Sequence, residues 1–486
     1  MNLTIGQTHR AAGVLLTMAA GDALGAAYEF GGPYAEDMPV VMKGGGTFGW
    51  APGEWTDDTQ MAMVIADTVC AGGDLREPEA LDRIVGGWVG WMADAADVGT
   101  QTRTVLGAVA GNDMARAADA LAVSEALHER TGHTAGNGSL MRTAPVALAY
   151  LHDPQGLTEA AAAVSRLTHF DPEAGEACVL WCHLIRQAVL TGELDTAVAL
   201  AALPETRAEV WHARLAAATE RRPADFSRNG WVVEALQAAW CAITTTGDPN
   251  DADPAHVRRA LEAAVRGGRD TDTVAAIAGA LLGALYGASA VPAQWRRILH
   301  GWPGLRSRDL VTRAVLLANP SGGEGSGWPS VEEVDYSGYV GTDALAVHPH
   351  DRGVLLGGVD ALRDSPGGVD AVVSLCRLGS AQVPAFGIDA GDHIEVWLVD
   401  SAHPDANPHL EFVLDDTVAA ITELRAQGKT VLLHCVQAQS RTPTVAALYG
   451  ATLGTPLADA VRDVQAVLPH AQPNPRFAEL LHRRGA

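Results

Sequence analysis

Gly267-Gly268-Arg269-Asp270-Thr271-Asp272-Thr273 hands over to an uncharged run, Val274-Ala275-Ala276-Ile277-Ala278-Gly279, and the chain before it is organised around that handover. Two carboxylates one residue apart, each followed by a threonine, stand where a helix begins. Beyond them Gly279, Gly283 and Gly287 recur at every fourth position. Residues four apart share one face of a helix, so these glycines make a flat stripe that another helix can approach closely. Such a helix is an interior one. Acidic side chains are favoured at a helix N-terminus by its dipole, and a capped buried helix would account for one of them. Four consecutive oxygen-bearing side chains are more than a cap uses. They suit a hard cation such as Mg²⁺.

Trp55-Thr56-Asp57-Asp58-Thr59-Gln60 has the same character. Thr56 can cap a helix running through Met61, Val64, Ile65 and Thr68, with Asp57 and Asp58 in its first turn. Alone, the motif reads as a solvated helix start. Two such starts, each feeding an apolar helix, offer four carboxylates and at least two hydroxyls. That many like charges repel unless cations lie among them. Paired divalent cations are the expected arrangement.

Outward from these two stretches, residues 1 to about 315 read as helix after helix, and strand patterns are nearly absent. Ala-rich periodicity predicts helices at 8–20, 57–70, 77–93, 102–109, 114–128, 158–167, 173–190, 206–219, 230–243, 255–266 and 272–288. The chain of 486 residues is longer than one compact core usually organises. Its 48% apolar and 19% charged content is that of an ordinary globular protein. A net charge of −24 argues against a nucleic-acid partner held by phosphate neutralisation. Six scattered cysteines (70, 178, 182, 241, 376 and 435) are too few for a disulfide scaffold and point to a reducing cytoplasm. Cys178 and Cys182 sit one helical turn apart beside His183, but with no second ligand pair they read as buried thiols rather than zinc ligands. Arg10 before the apolar Ala11–Ala20 run lacks the basic cluster of a secretion leader. The uncharged run from Thr273 to Gln294 is weakly hydrophobic and contains Pro292 near its end, so a buried helix is expected and no membrane partner.

Asn319-Pro320-Ser321-Gly322-Gly323-Glu324-Gly325-Ser326-Gly327-Trp328-Pro329 has the composition of a flexible linker. After it the texture changes. Short β-rich runs appear at Gly353–Gly357, Ala371–Leu375, His393–Leu398 and Thr430–His434, separated by helical patterns near 362, 410–427 and 442–453. Strands alternating with helices predict an α/β sheet. The expected division is therefore an all-α domain over 1–318, a linker over 319–335 and an α/β domain over 336–486.

Over about residues 1–315 the chain resembles the ADP-ribosylglycohydrolase family. The pattern runs in order through Gly21-Asp22-Ala23-Leu24-Gly25 with Glu29, Trp55-Thr56-Asp57-Asp58-Thr59, Gly136-Asn137-Gly138-Ser139-Leu140-Met141-Arg142, Thr168-His169 and Asp270-Thr271-Asp272-Thr273. Several blocks in the right order are far more specific than any one. The resemblance implies an all-α fold with two Mg²⁺ ions at the base of an ADP-ribose cleft. It carries metal ligation to Thr56, Asp57, Asp58, Asp270, Asp272 and Thr273. It implies Glu29 as a flap carboxylate near the scissile bond, and Asp22 and the Gly136, Asn137, Gly138, Ser139 loop as substrate contacts. His169 reads either as a further ligand contact or as a satisfied core histidine. The chemistry suits these residue types. Cleaving a glycosidic bond builds oxocarbenium character that carboxylates stabilise, divalent cations can activate water near neutral pH, and glycine lets backbone N–H groups face phosphate.

Val431-Leu432-Leu433-His434-Cys435-Val436-Gln437-Ala438-Gln439-Ser440-Arg441-Thr442-Pro443 sets a strand, a cysteine, five residues, an arginine and a helix start in succession. That order makes a backbone cradle at a helix N-terminus, where phosphate is held by N–H groups and the dipole. The same field favours a nucleophilic cysteine, and Arg441 can clamp two phosphate oxygens through its planar fork. This half, about residues 336–486, resembles the dual-specificity and tyrosine phosphatase family. That implies Cys435 as nucleophile, Arg441 as clamp and Thr442 as the hydroxyl assisting thiolate release. The general acid would be Asp405, after Pro404, with Asp400 as its rival. One departure stands out: Ala438 occupies a position where the family usually has glycine. If that position needs φ > 0, alanine strains the loop.

The reading that follows is a cytoplasmic fusion of a Mg²⁺-dependent ADP-ribosyl hydrolase with a cysteine phosphatase-like domain. Its partners would be an ADP-ribosylated protein, or alternatively a small ADP-ribosyl metabolite, and a phosphorylated substrate at the second site. A second half that binds phosphate without turning it over is the competing reading there.

Overall fold

The structure is a computed structural model that describes residues 3–111, 115–319, 326–363 and 367–485. The chain falls into two compact units: Met1–Val291 with Ile298–Pro320, and Pro292–Arg297 with Ser321–Ala486.

At the centre of the first unit, the Ile5–Gly25 helix lies against the Thr271–Tyr286 helix. The glycine stripe explains how closely. A Cβ placed at Gly13 would strike the Gly283 carbonyl oxygen, one at Gly21 the Ala275 carbonyl, and one at Gly279 the Thr17 carbonyl. Backbone therefore touches backbone along the whole crossing. Both helices are buried along most of their length, as their apolar composition requires. The helical stretch Ile5–Tyr28 is apolar and long enough to cross a membrane, but 94% of its most apolar window is buried inside the protein. A capping box between Thr4 and Gln7 starts it.

The helix expected at 57–70 is observed as Asp57–Cys70, and that at 272–288 as Thr271–Tyr286. The pattern at 114–128 becomes Ala117–Thr131, with residue 114 outside the described residues. Among the described residues six helices were not foreseen: Ala144–Ala149, Thr196–Leu200, Ala293–Ile298, Ser307–Ala318, Leu457–Val467 and Pro475–Gly485. The first three span only five or six residues, too short for a 3.6-residue period to show.

The second unit holds a five-stranded sheet in the order Leu345–His348, Asp351–Gly357, Val431–His434, Ala371–Ser374, His393–Glu395. The first pair is antiparallel and the rest are parallel. Alternate side chains go to opposite faces. Val373 and Leu433 enter a core with the Leu410–Ala426 and Arg441–Thr452 helices, whereas Val372 and Leu432 pack with Val359 and Leu378. Val431–His434 is flanked on both sides by parallel neighbours, so the residues after it emerge at the C-terminal edge of the sheet, where ligands bind in such folds.

Of the expected 319–335 linker, residues 320–325 lie outside the described residues. At Trp328 and Val334 the segment is packed rather than free. Trp328 is buried against Trp397, with the Arg377 guanidinium 4.4 Å from its ring, and Val334 is buried too. The Gly/Ser composition of 321–327 hid the apolar anchors that follow.

Candidate active site and metal centre

The two acidic helix starts converge in the first unit. Thr56 Oγ1 lies 3.3 Å from Asp58 Oδ2 and 3.4 Å from Asp272 Oδ2, and Thr273 Oγ1 lies 3.3 Å from Asp58 Oδ2. Carboxylate oxygens of Asp22, Asp58 and Asp272 fall within 4.8 Å of one another, as do those of Glu29, Asp270 and Asp272. Burial, followed by mutual repulsion, pushes Asp57, Asp58 and Asp272 well above the usual carboxylate range. Burial also raises Asp270, and it lifts Glu29, next to Asp270 and Asp97, to about 9. Asp58 Oδ1 and Glu29 Oε2 are buried without a hydrogen-bond partner among the described residues. Orphaned oxygens in an all-oxygen donor set fit a hard divalent cation.

Glu29 reaches this cluster on a pinned flap. The Phe30 N–H donates to the Arg269 carbonyl at 2.6 Å, and the Arg269 N–H to the Gly31 carbonyl at 2.7 Å. Phe30 and Arg269 both have positive φ, +64° and +66°, which side-chain-bearing residues adopt at a cost. The reciprocal pair holds Glu29 beside Asp270.

The Gly136–Ser139 loop closes another side. Asn137 Nδ2 donates to Asp270 Oδ2 at 2.7 Å and to the Asn229 carbonyl at 2.9 Å. His169 stands behind the loop: a Cβ at Gly136 would come 3.2 Å from its Nε2, and one at Gly138 3.1 Å from its Cε1.

In the second unit, Cys435 follows its strand into a turn that ends at Ser440, and the Arg441–Thr452 helix begins there. Arg441 Nη1 donates to the Leu375 carbonyl at 2.6 Å, while its Nε and Thr442 Oγ1 are buried without hydrogen-bond partners among the described residues. Ala438 has φ +52°, so this position does take the left-handed conformation and alanine bears the strain. His434, before the cysteine, is fully buried with Nε2 2.6 Å from Ser374 Oγ, and burial pulls it down to about 4. Of the two aspartates weighed for proton donation, Asp405 is a surface residue, its side chain 82% exposed beside His403. Asp400 is the one at the cradle. Its Oδ1 accepts from Ser440 Oγ at 2.7 Å and Oδ2 lies 3.9 Å from Arg441 Nε.

A family model described as ADP-ribosylglycohydrolase matches residues 4–323. The chain belongs to the ADP-ribosylglycohydrolase family. Among its relatives, the ADP-ribosylarginine hydrolase Tri1 of Pseudomonas putida (strain GB-1) is 30% identical over 298 residues, 59% of this chain and 73% of the relative. The ADP-ribosyl-[dinitrogen reductase] glycohydrolase of Rhodospirillum rubrum is 28% identical over 299 residues, 59% of this chain and 88% of the relative. A solved ADP-ribosylglycohydrolase-related protein complex superposes with TM-score 0.50 at 30% identity, covering 65% of this chain and 99% of that one. For the second unit, human DUSP28 aligns at 25% identity over 29% of this chain and 92% of that one, with a TM-score of 0.25 that carries no argument. The first unit is thus a helical ADP-ribosylglycohydrolase, a hydrolase whose acidic clusters are able to hold metal.

Within this ADP-ribosylglycohydrolase fold, Asp22 differs from its expected place as a substrate contact. It is fully buried, and its oxygens accept from the Thr56 N–H at 2.8 Å, the Thr59 N–H at 3.0 Å and Thr59 Oγ1 at 2.6 Å. It caps the Asp57–Cys70 helix from 34 residues away. Thr56 was expected to do so itself, but its side chain makes no cap bond and turns to Asp58 and Asp272 instead. Asp97 escaped the sequence reading. It is half-buried in the loop before the Thr100–Val109 helix, burial raises its carboxyl, and its charge reaches Glu29, Asp57 and Asp270. The signal available was an acid and a glycine, Asp97-Val98-Gly99, just before a helix start.

Proposed function

We propose that the first unit releases ADP-ribose from modified arginine side chains of proteins, with two Mg²⁺ ions held by Thr56, Asp57, Asp58, Asp270, Asp272 and Thr273. The observation that carries this is the convergence of buried, partly orphaned carboxylates from two helix starts. Bound there, a divalent cation would neutralise the acids, orient the ribose hydroxyls and lower the pKa of water. The chain's own residues do the rest. Glu29, on its pinned flap beside Asp270, would be the carboxyl group presented to the anomeric carbon, its proton held by burial. The C–N bond breaks with oxocarbenium character, stabilised by the surrounding carboxylates; its electron pair leaves with the guanidine, water adds at the anomeric carbon, and the proton water gives up ends on the departing guanidine. The glycine loop and Asn137 fix the ribose and phosphate end. Arginine is chosen as acceptor because the Pseudomonas relative is named for ADP-ribosylarginine, and a protein acceptor because the Rhodospirillum relative is named for one. All six cysteines are free thiols, which fits a cytoplasmic location.

The full chain should release ADP-ribose from arginine-modified protein in Mg²⁺, with release falling to background in EDTA. Serine- and nucleic-acid-linked ADP-ribose should remain intact. Release from free ADP-ribosylarginine alone, with protein substrates untouched, would replace the protein acceptor by a small metabolite.

We infer for residues 336–486 of the second unit a phosphate-binding domain with Cys435 as nucleophile, Arg441 as clamp, Thr442 as the hydroxyl beside the thiolate and Asp400 rather than Asp405 as proton donor. Two buried polar atoms without a hydrogen-bond partner among the described residues, Arg441 Nε and Thr442 Oγ1, support an oxyanion in the cradle. Tungstate should protect Cys435 of the full chain from iodoacetamide, and Arg441→Ala should abolish the protection. Hydrolysis of an aryl phosphate should rise severalfold in Ala438→Gly, because a left-handed alanine costs roughly 1–2 kcal/mol. Alkylation indifferent to tungstate would mean a buried structural thiol.

A further inference from the structure

Arg142 is fully buried, its guanidinium 3.9 Å from the Trp88 ring. Burial draws it down to about 10, so it stays charged at neutral pH. One of its donors, Nη2, reaches Thr168 Oγ1 at 2.6 Å, and that oxygen lies 2.7 Å from His169 Nδ1. A guanidinium only donates, so Thr168 accepts there and keeps a single hydrogen to give away. Thr168 is itself fully buried, and His169 Nδ1 is the acceptor within its reach among the described residues. If Nδ1 carried the proton instead, the threonine hydrogen would be buried with nothing to receive it, a cost of about 1–3 kcal/mol. The arrangement that satisfies the Thr168 hydroxyl puts the ring hydrogen on Nε2. His169 is 2% exposed, and burial with the Arg142 charge nearby pulls its pKa down to about 3, so the ring is neutral. Its Nε2–H has no hydrogen-bond partner among the described residues and faces the Cβ-free Gly136 and Gly138, with Gln101 Oε1 and Thr102 Oγ1 bordering the same space.

We propose that Arg142 and Thr168 are positioning residues that lock His169 as a neutral Nε2–H donor, and that this donor serves an acceptor oxygen of the ADP-ribosyl group lying on the Gly136–Ser139 loop. The ligand half of this rests on the function proposed above. The tautomer half does not. A cationic ring would bind anions indiscriminately, whereas a fixed neutral donor selects by position. Glycine at 136 and 138 leaves the space in front of Nε2 open, and the Arg142 charge, relayed through one hydroxyl, orders the protons without entering the cleft.

The test uses the full chain with ¹⁵N-labelled histidine, the His169 signals being assigned with His169→Gln. Wild type should show Nε2 protonated and Nδ1 unprotonated before any ligand is added. Calorimetric affinity for ADP-ribose should fall about tenfold in Thr168→Val, the scale of one lost hydrogen bond to a charged or polarised oxygen. Thr168→Ser, which keeps the hydroxyl, should restore both the tautomer and the affinity. An Nδ1-protonated ring in wild type overturns the lock, whatever ADP-ribose does. Unchanged affinity in Thr168→Val with an altered tautomer overturns the ligand half. Failure of wild type to bind ADP-ribose at all, with the Nε2–H tautomer in place, would overturn the substrate reading and the ligand half together while the lock stands.

Discussion

Asp57→Asn combined with Asp272→Asn is expected to lower ADP-ribose release about a thousandfold or more and to remove Mg²⁺ binding measured by calorimetry. Stabilising developing charge with a cation is worth several kcal/mol, and each 1.36 kcal/mol is a factor of ten. The helices should persist, and thermal melting shows why the two effects separate. Without a cation, the buried carboxyls hold protons more tightly in the folded chain than in the unfolded one. The native state then binds more protons, so stability falls as pH rises. Asp22 contributes to that fall between its ordinary 3.8 and about 6, and Glu29 between 4.5 and about 9. Wild type in EDTA should therefore melt lower at pH 8 than at pH 5, and Mg²⁺ should reverse the loss at pH 8. In the double variant the pH-dependent drop should be shallower and the Mg²⁺ shift absent. Undiminished Mg²⁺ binding by the variant would sink the metal assignment.

Gly25→Ala should damage both the fold and the site, whereas Gly283→Ala should damage the fold alone. A Cβ at Gly283 would run into the Gly13 carbonyl, and one at Gly25 into the Asp272 backbone N and Cα. Neither obstacle is a flexible side-chain tip, so the helices must move apart. Overpacking of this kind costs about 1–3 kcal/mol, occasionally more. At Gly283 the displacement begins 11 residues beyond Asp272, roughly 16 Å along the helix at 1.5 Å per residue. Mg²⁺ affinity should stay within about threefold there. At Gly25 the displaced group is the backbone of a proposed ligand, and Thr271 Oγ1 also donates to the Gly25 carbonyl at 2.9 Å. Affinity should fall tenfold or more, since about 1.4 kcal/mol suffices. Melting curves and Mg²⁺ titrations of the two variants decide it. A Gly25→Ala protein with unchanged melting and titration would show slack between the helices that the structure does not have.

Much of the site was legible because it is written locally. Asp270, Asp272, Asp57 and Asp58 belong to two short strings, and a helix start with surplus oxygen donors is recognisable without knowing its neighbours. The same holds for the second unit, where strand, cysteine, arginine and helix follow one another within 13 residues, 431–443. Asp405 was preferred over Asp400 because a proline preceded it. Which of two loop carboxylates turns toward Ser440 depends on loop packing, and no periodicity encodes that. The packed Trp328 was missed for a related reason: one tryptophan beside glycines and serines has no pattern until Trp397, 69 positions later, stands against it.

What the sequence by itself determined is therefore the set of parts: two carboxylate-bearing helix starts, a four-residue glycine period that requires helix-on-helix contact, a glycine-rich loop, and a cysteine cradle whose alanine at 438 was foreseen to matter. Each follows from backbone periodicity or from the φ freedom of single residues, both properties of a few adjacent positions. Only the tertiary structure decided what those parts do to one another. It made Asp22 a cap for a helix 34 residues away, brought Asp97 within range of Glu29, and pinned the flap through two left-handed residues at 30 and 269. It also set Arg142, Thr168 and His169 in a line that orders their protons. The physical reason is common to all four. Burial and hydrogen-bond satisfaction are properties of a place in space, and chain segments distant in sequence compete to supply the partners that place demands.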